Sequence, residues 1–529
     1  MSPLEEIIKK CLKEKVKTEK KLADIKRWAA SVFKISFPSN VKLFEVYQKM
    51  LKKGKIKRNL ELELLLRKRK IRSLSGVVVV SVLTKPFPCP GKCIFCPKEK
   101  GIPKSYVSGE PAVERAKELN FNPFLQMRKR LESLEKQGHP TDKVEVRIIG
   151  GTFSAYPERY KNWFIASLFA GANRKTLPKK LVLEKEQKKN EKAKHRIVGL
   201  SIETRPDLIN ENEIKKLRKL GVTLVELGIQ TVDENILKLC QRGHGVKEII
   251  KATKLLKDAG FKVMYQVMPN LPASNLKKDF QIFKKIFEDE NFKPDWLKIY
   301  PCVATEGTLL YRWLKKGKWK PYSDKELIEL LIKIKSIVPR WIRIARIYRD
   351  IPAQKIKGGC KISNLREVVK KEMEKRKISC NCIRCREIKM YFSSQQKLKL
   401  FREDYWASGG KEIFLSFETE DRKYLFSFLR LRIPSQIFKK ENHFLSVLSN
   451  SAIIREIHTY GFQVPLKKRE KISPQHRGLG RKLVRKAEKI VKEEFNLSRI
   501  AVISGIGVRD YWRKLGYRLK ETYMIKRLK

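Results

Sequence analysis

The sequence predicts an α/β protein with three parts: a basic helical amino-terminal region, a parallel α/β barrel, and a smaller α+β domain. Its 529 residues suffice for about three domains. After residue 76, six apolar runs of strand length alternate with helix-length segments, as in βα units. After about residue 395, two longer runs follow each other closely, which indicates antiparallel strands.

The composition favours a nucleic-acid partner. Lys and Arg number 120 against 57 Asp and Glu, so the formal net charge is +63, and a polyanion is the obvious counterpart. General basicity in a lysine-rich proteome is the alternative. The 42% hydrophobic and 9% aromatic residues exclude disorder. The sequence has no apolar run long enough for a membrane span.

The first residues, MSPLEEIIKKCLKEK, lack the apolar stretch of a secretory signal, so we expect a cytoplasmic protein. In that compartment the 10 cysteines are expected to stay reduced. Clustered cysteines are then predicted to be metal or iron–sulfur ligands rather than disulfide partners.

Residues 1–75 are predicted to form helices with a dense positive face. They contain three basic runs: KEKVKTEKK at 13–21, KKGKIKRN at 52–59 and RKRKIR at 67–72. A single run is most simply a solvated surface. Three runs so close together favour a surface that binds the phosphates of tRNA or another nucleic acid.

Residues 76–355 are predicted to form the barrel, partial or complete. Continuous apolar strands are typical of a parallel sheet that is buried on both faces, and the chemistry of such barrels lies at the carboxyl ends of the strands. The lysine-rich stretch 183–196 is predicted to be an exposed insertion. The six predicted strands are 77–83, 144–150, 197–203, 224–229, 262–268 and 296–300.

A cysteine triplet follows the first barrel strand. Cys89, Cys93 and Cys96 have the spacing C-x₃-C-x₂-C on a Gly/Pro loop. Three thiolates can hold one corner of a four-iron, four-sulfur (4Fe-4S) cluster and leave one iron open to a small molecule. Zinc is the alternative, but a closed structural zinc site needs four ligands and this loop supplies three.

The triplet resembles that of the radical S-adenosylmethionine (SAM) superfamily, in which the open iron binds SAM and the barrel is partial. Gly150 and Gly151 follow the second strand, where the superfamily places a glycine-rich turn against the SAM amino group. Glu203 and Gln230 end the third and fourth strands. Together these residues are predicted to form a polar rim around one pocket.

Residues 395–529 carry a second motif, QHRGLG, at the start of a predicted amphipathic helix. Glycines in a first helical turn let backbone N–H groups approach a pyrophosphate. With the later segment YWRKLGY at 511–517, the pattern resembles the GNAT acetyltransferases, α+β proteins that bind acetyl-CoA. The resemblance implies cofactor contacts at Gln475, Gly478, Leu479, Gly480, Arg481 and Trp512.

A radical SAM triplet and a GNAT segment rarely occur in one chain. With PFLQMRKR, GHPTDKVE, SIETRPD, RGHGVK and LKIYP, the chain resembles the prokaryotic branch of the Elongator catalytic-subunit family from about residue 70 to 529. The resemblance implies an acyltransferase that installs a 5-carboxymethyl group on the wobble uridine of tRNA. SAM cleavage there yields a 5′-deoxyadenosyl radical that takes hydrogen from the acetyl-CoA methyl group, and the resulting carbon adds to C5 of uracil.

The same resemblance implies particular residues. Lys143 matches the barrel-side acetyl-CoA contact, and Lys143, His458 and Tyr511 are the catalytic candidates. The family has a tyrosine where this chain has Trp512. The neighbouring Tyr511 is expected to point elsewhere, so Trp512 is predicted to pack against the acetyl-CoA arm. The contacts implied on the GNAT side are Glu456, Ile457, His458 and Thr459.

Between the two domains, residues 356–394 are predicted to be a zinc-binding linker. Cys380, Cys382 and Cys385 have the spacing C-x-C-x₂-C, a plausible zinc corner, and Cys360 is the candidate fourth ligand.

Two other functions remain open at this point. A protein lysine acetyltransferase with a structural iron–sulfur cluster would use the GNAT segment but gives no role to SAM cleavage. An RNA-binding scaffold would explain the charge but not the thiols or the pyrophosphate loop. The oligomeric state is left open, a homodimer included, and accessory subunits are not implied by the sequence.

Overall fold

The computed structural model describes residues 2–68, 76–388, 397–461 and 478–528. The amino-terminal region consists of four helices, α1 (Pro3–Lys13), α2 (Glu19–Val32), α3 (Asn40–Lys52) and α4 (Leu60–Leu66). Each begins at a Ser, Thr or Asn whose side chain accepts a backbone N–H of the first turn. The helices bury a core of their own, which includes Ile8, Leu43 and Tyr47.

Seven parallel strands form the central sheet, in the order β1-β2-β3-β4-β5-β6-β8. Within the described residues β8 does not pair with β1, so the sheet curls into an open, partial barrel. Each of the six predicted apolar runs overlaps one strand. The strands are β1 (Val78–Leu83), β2 (Lys143–Ile149), β3 (Arg196–Thr204), β4 (Leu224–Gln230), β5 (Lys262–Val267), β6 (Trp296–Ile299) and β8 (Arg343–Ile347).

The sequence analysis did not identify β8. Its residues, RIARI, include Arg343 and Arg346, which hide the apolar pattern expected of a buried strand. A short two-stranded ribbon, β7 (Ala304–Thr305) with β9 (Ile356–Gly358), lies beyond the barrel strands.

Helices cover the outer face of the barrel and lead into the linker. They are α5 (Pro111–Lys117), α6 (Pro123–Lys136), α7 (Glu158–Asn173), α8 (Leu183–Asn190), α9 (Glu211–Lys219), α10 (Glu234–Leu239), α11 (Val246–Asp258), α12 (Leu276–Glu288), α13 (Leu309–Lys315), α14 (Asp324–Ser336), α15 (Leu365–Lys375) and α16 (Ile383–Arg386). None of these or the other described helices has the length and apolar content needed to cross a membrane.

The expectation of an exposed insertion at 183–196 is wrong. The stretch forms α8 and the start of β3, and Glu186 and Asn190 are buried. The Asn190 side chain hydrogen-bonds the His195 carbonyl at 3.0 Å and the Ile197 N–H at 2.8 Å. The lysines of α8 lie on its outer face, whereas its inner face is packed. The prediction was wrong because it relied on the lysine-rich composition alone.

The second sheet is mixed, with the order β10-β11-β12-β13-β14-β16-β15. All of its pairs are antiparallel except β13 with β14. The strands are β10 (Lys399–Ala407), β11 (Gly410–Glu418), β12 (Leu425–Ile433), β13 (Ala452–Thr459), β14 (Arg499–Val502), β15 (Arg518–Lys520) and β16 (Tyr523–Arg527), and the helices are α17 (Ser435–Lys439), α18 (Leu479–Glu493) and α19 (Arg509–Arg513). This sheet, the parallel partial barrel and the helices confirm the predicted fold class.

A buried network of charges joins the barrel to the second sheet. Arg432 of β12 donates to Asp258 at the end of α11, with Nη2 to Oδ1 at 2.6 Å. Arg455 of β13 contacts both Asp295, just before β6, and Glu412 of β11, with distances of 2.9 Å to Asp295 Oδ1 and 2.8 Å to Glu412 Oε1. Because each of these groups is almost fully buried, separating the two domains would leave charges without partners.

Candidate active site

The cysteine triplet lies on the loop that leaves β1 at the carboxyl edge of the barrel. Its three thiols are free. The Arg242 guanidinium donates from Nη1 to Cys93 Sγ at 2.9 Å, and Cys89 Sγ lies 3.3 Å from the Thr152 hydroxyl. Burial, followed by the neighbouring Cys93 and Cys89, raises the pKa of Cys96 to about 12. Three thiols thus share one electrostatic environment, as ligands of one cluster do.

The surroundings of the loop fit a bound anionic group. Arg205 Nη1 and Arg242 Nε are buried N–H donors without a hydrogen-bond acceptor. At Gly91, inside the loop, an added Cβ would lie 2.2 Å from Arg205 Nη1 and 3.5 Å from Cys93 Sγ, so a larger residue would displace the Arg205 guanidinium. Three thiols with unsatisfied cationic donors beside them suit an iron–sulfur cluster, whose core and ligands together are negatively charged.

The predicted polar rim is assembled at the same edge. Gly150 and Gly151 have φ of +130° and +99°, and a Cβ at Gly150 would lie 2.1 Å from Thr84 Oγ1. Glu203 accepts from the Tyr106 hydroxyl at 2.8 Å and from Gln266 Nε2 at 3.2 Å. Gln230 ends β4 with φ of +68°. Glycines at 150 and 151 therefore allow a backbone conformation and a close approach to Thr84 that a larger residue would prevent, at the edge where a small polar ligand would bind.

Lys298 of β6, in the segment LKIYP, is a charged residue of the barrel that was not predicted from the sequence. The Lys298 ammonium lies between Glu226 and Glu203, and it is 3.4 Å from Glu203 Oε1. Burial opposes its charge, but Glu226 and Glu203 raise the pKa of Lys298 above its ordinary value. Deeper in the barrel, Glu145 and Glu226 likewise raise the pKa of Arg147 against the effect of burial. Charged side chains therefore extend through the barrel interior.

A large cavity of ≈ 3570 Å³ opens at the amino ends of the barrel strands. It lies between the barrel, the second sheet and the amino-terminal helices. It brings together most residues predicted for acetyl-CoA: Lys143, Glu456, Ile457, His458, Thr459, Gly478, Gly480, Arg481, Tyr511 and Trp512. Leu479 instead belongs to the apolar core beneath the sheet, and Gln475 lies outside the described residues.

The start of α18 forms one wall of this cavity. Gly478 precedes the helix with φ of +72°. At Gly480, in the first turn, an added Cβ would lie 3.3 Å from the Tyr511 hydroxyl and 3.6 Å from Thr459 Oγ1. Backbone N–H groups at this 15-residue helix start are therefore open to an anion.

Tyr511 and Trp512 differ in how the structure places their side chains. Both lie on α19, where neighbouring side chains point in different directions. The Tyr511 hydroxyl reaches the start of α18 beside Gly480, whereas Trp512 is only 2% exposed and packs edge-on against Tyr517 with ring centroids 5.2 Å apart. The expectation that Tyr511 points away is wrong, and Trp512 belongs mainly to the domain core.

Two other predicted contacts have structural partners. Glu456 accepts from Arg430 Nε at 2.8 Å and from Trp296 Nε1 at 3.4 Å. Burial works against its charge, but Lys262 and Arg430 lower the pKa of Glu456. The His458 ring packs against Tyr460, with ring centroids 4.4 Å apart. On the barrel side of the cavity, burial lowers the pKa of Lys143, whereas the neighbouring Asp142 raises it.

The linker cysteines come together as predicted, except for Cys360. Among the described residues, the sulfur atoms of Cys380, Cys382 and Cys385 all lie within 4.8 Å of one another, close enough to hold one metal ion. Thiolates on one zinc, each ~2.3 Å from the metal, have such spacing. Cys360 is not in this group; burial raises its pKa to about 12. The prediction of Cys360 as fourth ligand is therefore wrong.

Comparison with known proteins agrees with this geometry. Residues 88–283 match the family model of the radical SAM superfamily, and residues 294–375 match that of the radical SAM C-terminal domain. The barrel with its cysteine loop is thus a radical SAM domain.

The chain as a whole resembles tRNA-modifying proteins. It is 46% identical to the tRNA uridine(34) acetyltransferase of Methanocaldococcus infernus, over 99% of this chain and 98% of the relative. It is 38% identical to Elongator complex protein 3 of Homo sapiens, over 88% of this chain and 86% of the relative. The chain belongs to the family of tRNA uridine(34) acetyltransferases and Elongator complex protein 3.

A solved structure supports the same assignment. The archaeal M. infernus Elp3 with a deletion of residues 1–46 superposes with a TM-score of 0.74 at 46% identity, and the match covers 86% of this chain and 100% of that chain.

Proposed function

We propose that this protein is an acyltransferase that uses SAM and acetyl-CoA to install a 5-carboxymethyl group on the wobble uridine of tRNA. The observation that carries the proposal is the cavity of ≈ 3570 Å³, in which the start of α18 lies opposite the amino ends of the barrel strands. The family of the chain and the names of its relatives support the choice of substrate.

At the carboxyl edge, Cys89, Cys93 and Cys96 hold the iron–sulfur cluster, and Gly150, Gly151 and Glu203 hold SAM. Together these groups, when bound, supply a radical that removes hydrogen from the acetyl methyl group. Between the two ends, the barrel strands carry the charged side chains Arg147, Glu226 and Lys298.

At the opposite end, the start of α18 binds the pyrophosphate of acetyl-CoA through its backbone N–H groups. Arg481 lies in the first turn of this helix, and Lys143 lies across the same cavity, so both cations face the phosphates of the cofactor. The Tyr511 hydroxyl beside Gly480 donates a hydrogen bond to the same pyrophosphate.

The amino-terminal helices hold the tRNA. The basic runs at 13–21 and 52–59 are largely exposed, and Lys49, Lys52 and Arg58 line the cavity, as do Lys192 and Lys194 of the barrel. Phosphate contacts on these cations guide the anticodon loop into the cavity. Residues 69–72 of the third run lie outside the described residues.

The linker thiols bind a structural zinc ion through Cys380, Cys382 and Cys385. The same linker contacts both domains: Arg386 Nη1 forms an ion pair with Glu418 Oε2 of β11 at 2.7 Å, and Glu387 accepts from Arg343 of β8 at 2.7 Å. The zinc therefore fixes a segment on which the relative position of barrel and second sheet depends.

The test is anaerobic incubation of the reconstituted protein with tRNA, SAM, acetyl-CoA and reductant, followed by mass spectrometry of the nucleosides. We expect 5-carboxymethyluridine from the parent and none from Cys93→Ala. Cys11→Ala, in the separate core of the amino-terminal helices, is the matched control and should retain the product. Acetylated lysine formed without SAM would instead support a protein acetyltransferase.

A further inference from the structure

We propose that Arg242 is a positioning residue for the cluster: its buried cation, held beside Cys93 by His244 and Gly228, stabilises the reduced cluster and raises its reduction potential. The inference rests on the proposed cluster at Cys89, Cys93 and Cys96. It assigns a function to Arg242 and His244, both of which lie in the segment RGHGVK.

Arg242 is fixed on three sides. Its side chain is almost fully buried, with 6% of the residue exposed. Nη1 donates to Cys93 Sγ at 2.9 Å, and Nη2 donates to the Gly228 carbonyl. Nη2 also contacts His244 Nε2 at 3.1 Å. The guanidinium plane is therefore held at the sulfur by the end of β4 and by its own loop.

His244 acts as an acceptor in this arrangement. Burial and the neighbouring Arg242 lower the pKa of His244 to about 4, so its ring is neutral at physiological pH. The Nε2 atom that faces Arg242 then carries a lone pair, and the proton resides on Nδ1, which faces the Gly245 carbonyl at 3.5 Å.

Arg242 is a cation at the loop without a carboxylate partner. In the part of the chain that the structure describes, no ion pair within 4.0 Å joins it to Asp or Glu. Arg205, on the other side of the loop, is instead paired with Asp207, with Nε to Oδ1 at 3.0 Å. A buried cation needs a counter-charge, and the Cys93 thiolate is the anion in contact with Arg242.

The consequence for electron transfer follows from charge. A four-iron cluster with a 2+ core and three thiolates carries a net charge of −1, and one electron from an external reductant makes it −2, with no bond formed or broken. A fixed cation at a thiolate favours the more negative state, and hydrogen bonds to the sulfurs and net charge are established determinants of cluster potentials. Removing the cation should make reduction harder.

The experiment is an EPR-monitored redox titration of the reconstituted full-length protein, without SAM, acetyl-CoA or tRNA. In Arg242→Gln, the reduced-to-oxidised ratio at a fixed potential should fall about tenfold, equivalent to a midpoint ~59 mV lower for one electron. Arg242→Lys should recover part of the loss because it retains the charge. Lys92→Gln, an exposed neighbour of Cys93, is the matched control and should titrate like the parent.

Iron and sulfide content is measured for every variant. An Arg242→Gln protein that holds a full cluster and titrates like the parent would overturn the inference. If Arg242→Gln does not hold the cluster, His244→Leu is decisive: it retains the cation but removes its acceptor, so an unchanged midpoint there overturns the inference and a lowered midpoint supports it. A parent protein that binds no cluster would instead refute the proposed function.

Discussion

Tyr511 is the residue whose placement most changes the expected chemistry. Because α19 is helical, Tyr511 and Trp512 point in different directions, and the hydroxyl meets the first turn of α18 while the indole is buried. The sequence could not show this, since a single turn of helix decides which of two adjacent aromatic residues faces the cavity.

The first prediction therefore concerns Tyr511→Phe. Loss of the hydroxyl should weaken acetyl-CoA binding by roughly ten- to hundredfold, as expected when one hydrogen bond to a charged group, worth about 1.5–3 kcal/mol, is lost, with little change in tRNA affinity. The measurement is isothermal titration of the protein with acetyl-CoA.

Trp512→Phe is the matched variant for that titration. It should leave acetyl-CoA affinity within about a few-fold of the parent and lower stability by about 1–3 kcal/mol, as expected for a smaller ring in a packed core. A Tyr511→Phe protein that binds acetyl-CoA as tightly as the parent would refute the role of the hydroxyl.

At the scale of elements, the interface between barrel and second sheet depends on charge rather than apolar packing alone. The second prediction is that Arg455→Met destabilises the protein by about 3–5 kcal/mol, because Asp295 and Glu412 are left buried without their main partner. Arg402→Met, which breaks exposed pairs with Asp404 and Glu494, should cost less than about 1 kcal/mol. Denaturant unfolding measures both changes.

The same network predicts how stability depends on pH. Burial opposes ionisation of Asp295 and Glu412, but Arg455 and Lys257 lower the pKa of both carboxyl groups. A carboxyl with a lowered native pKa stabilises the fold above its unfolded pKa, near 4, and that stability is lost as the pH falls below it. The parent should therefore lose stability steeply below pH 4, and Arg455→Met should show a shallower dependence.

The third prediction tests the linker. Cys382→Ser should remove most of the zinc bound outside the cluster and lower the thermal midpoint, because the linker contacts both β8 and β11. Cys360→Ser should retain the zinc, since its thiol lies apart from the other three. Elemental analysis in a Cys89/Cys93/Cys96→Ala background separates this zinc from iron. Zinc retained in Cys382→Ser would contradict the proposal that these thiols bind zinc.

Much of the fold could be predicted because the barrel strands are short apolar runs. The strand β8 was missed, since its arginines face a charged cavity, and α8 was mistaken for an insertion, since its lysines conceal a packed inner face. For the site, spacing in sequence located the two cysteine clusters and the glycines at strand ends. It did not locate Lys298, Arg242 or the exclusion of Cys360, because these depend on contacts between distant segments.

At the scale of the whole molecule, the net charge and the cavity together define how tRNA binds. The fourth prediction is that deletion of residues 2–68 flattens the dependence of log tRNA affinity on log salt, by roughly one unit for each phosphate that the truncated protein no longer neutralises. The deleted helices have their own core, so the barrel should remain folded. A truncated protein with the parent's salt dependence would show that the basic helices do not contact tRNA.

The central claim is that the radical derived from SAM takes hydrogen from the methyl group of acetyl-CoA. The most direct measurement is anaerobic turnover with trideuterated acetyl-CoA, SAM, reductant and tRNA, analysed by mass spectrometry. The account predicts one deuterium in 5′-deoxyadenosine and two in the 5-carboxymethyl group of the wobble uridine. Deuterium-free 5′-deoxyadenosine alongside modified tRNA would contradict it.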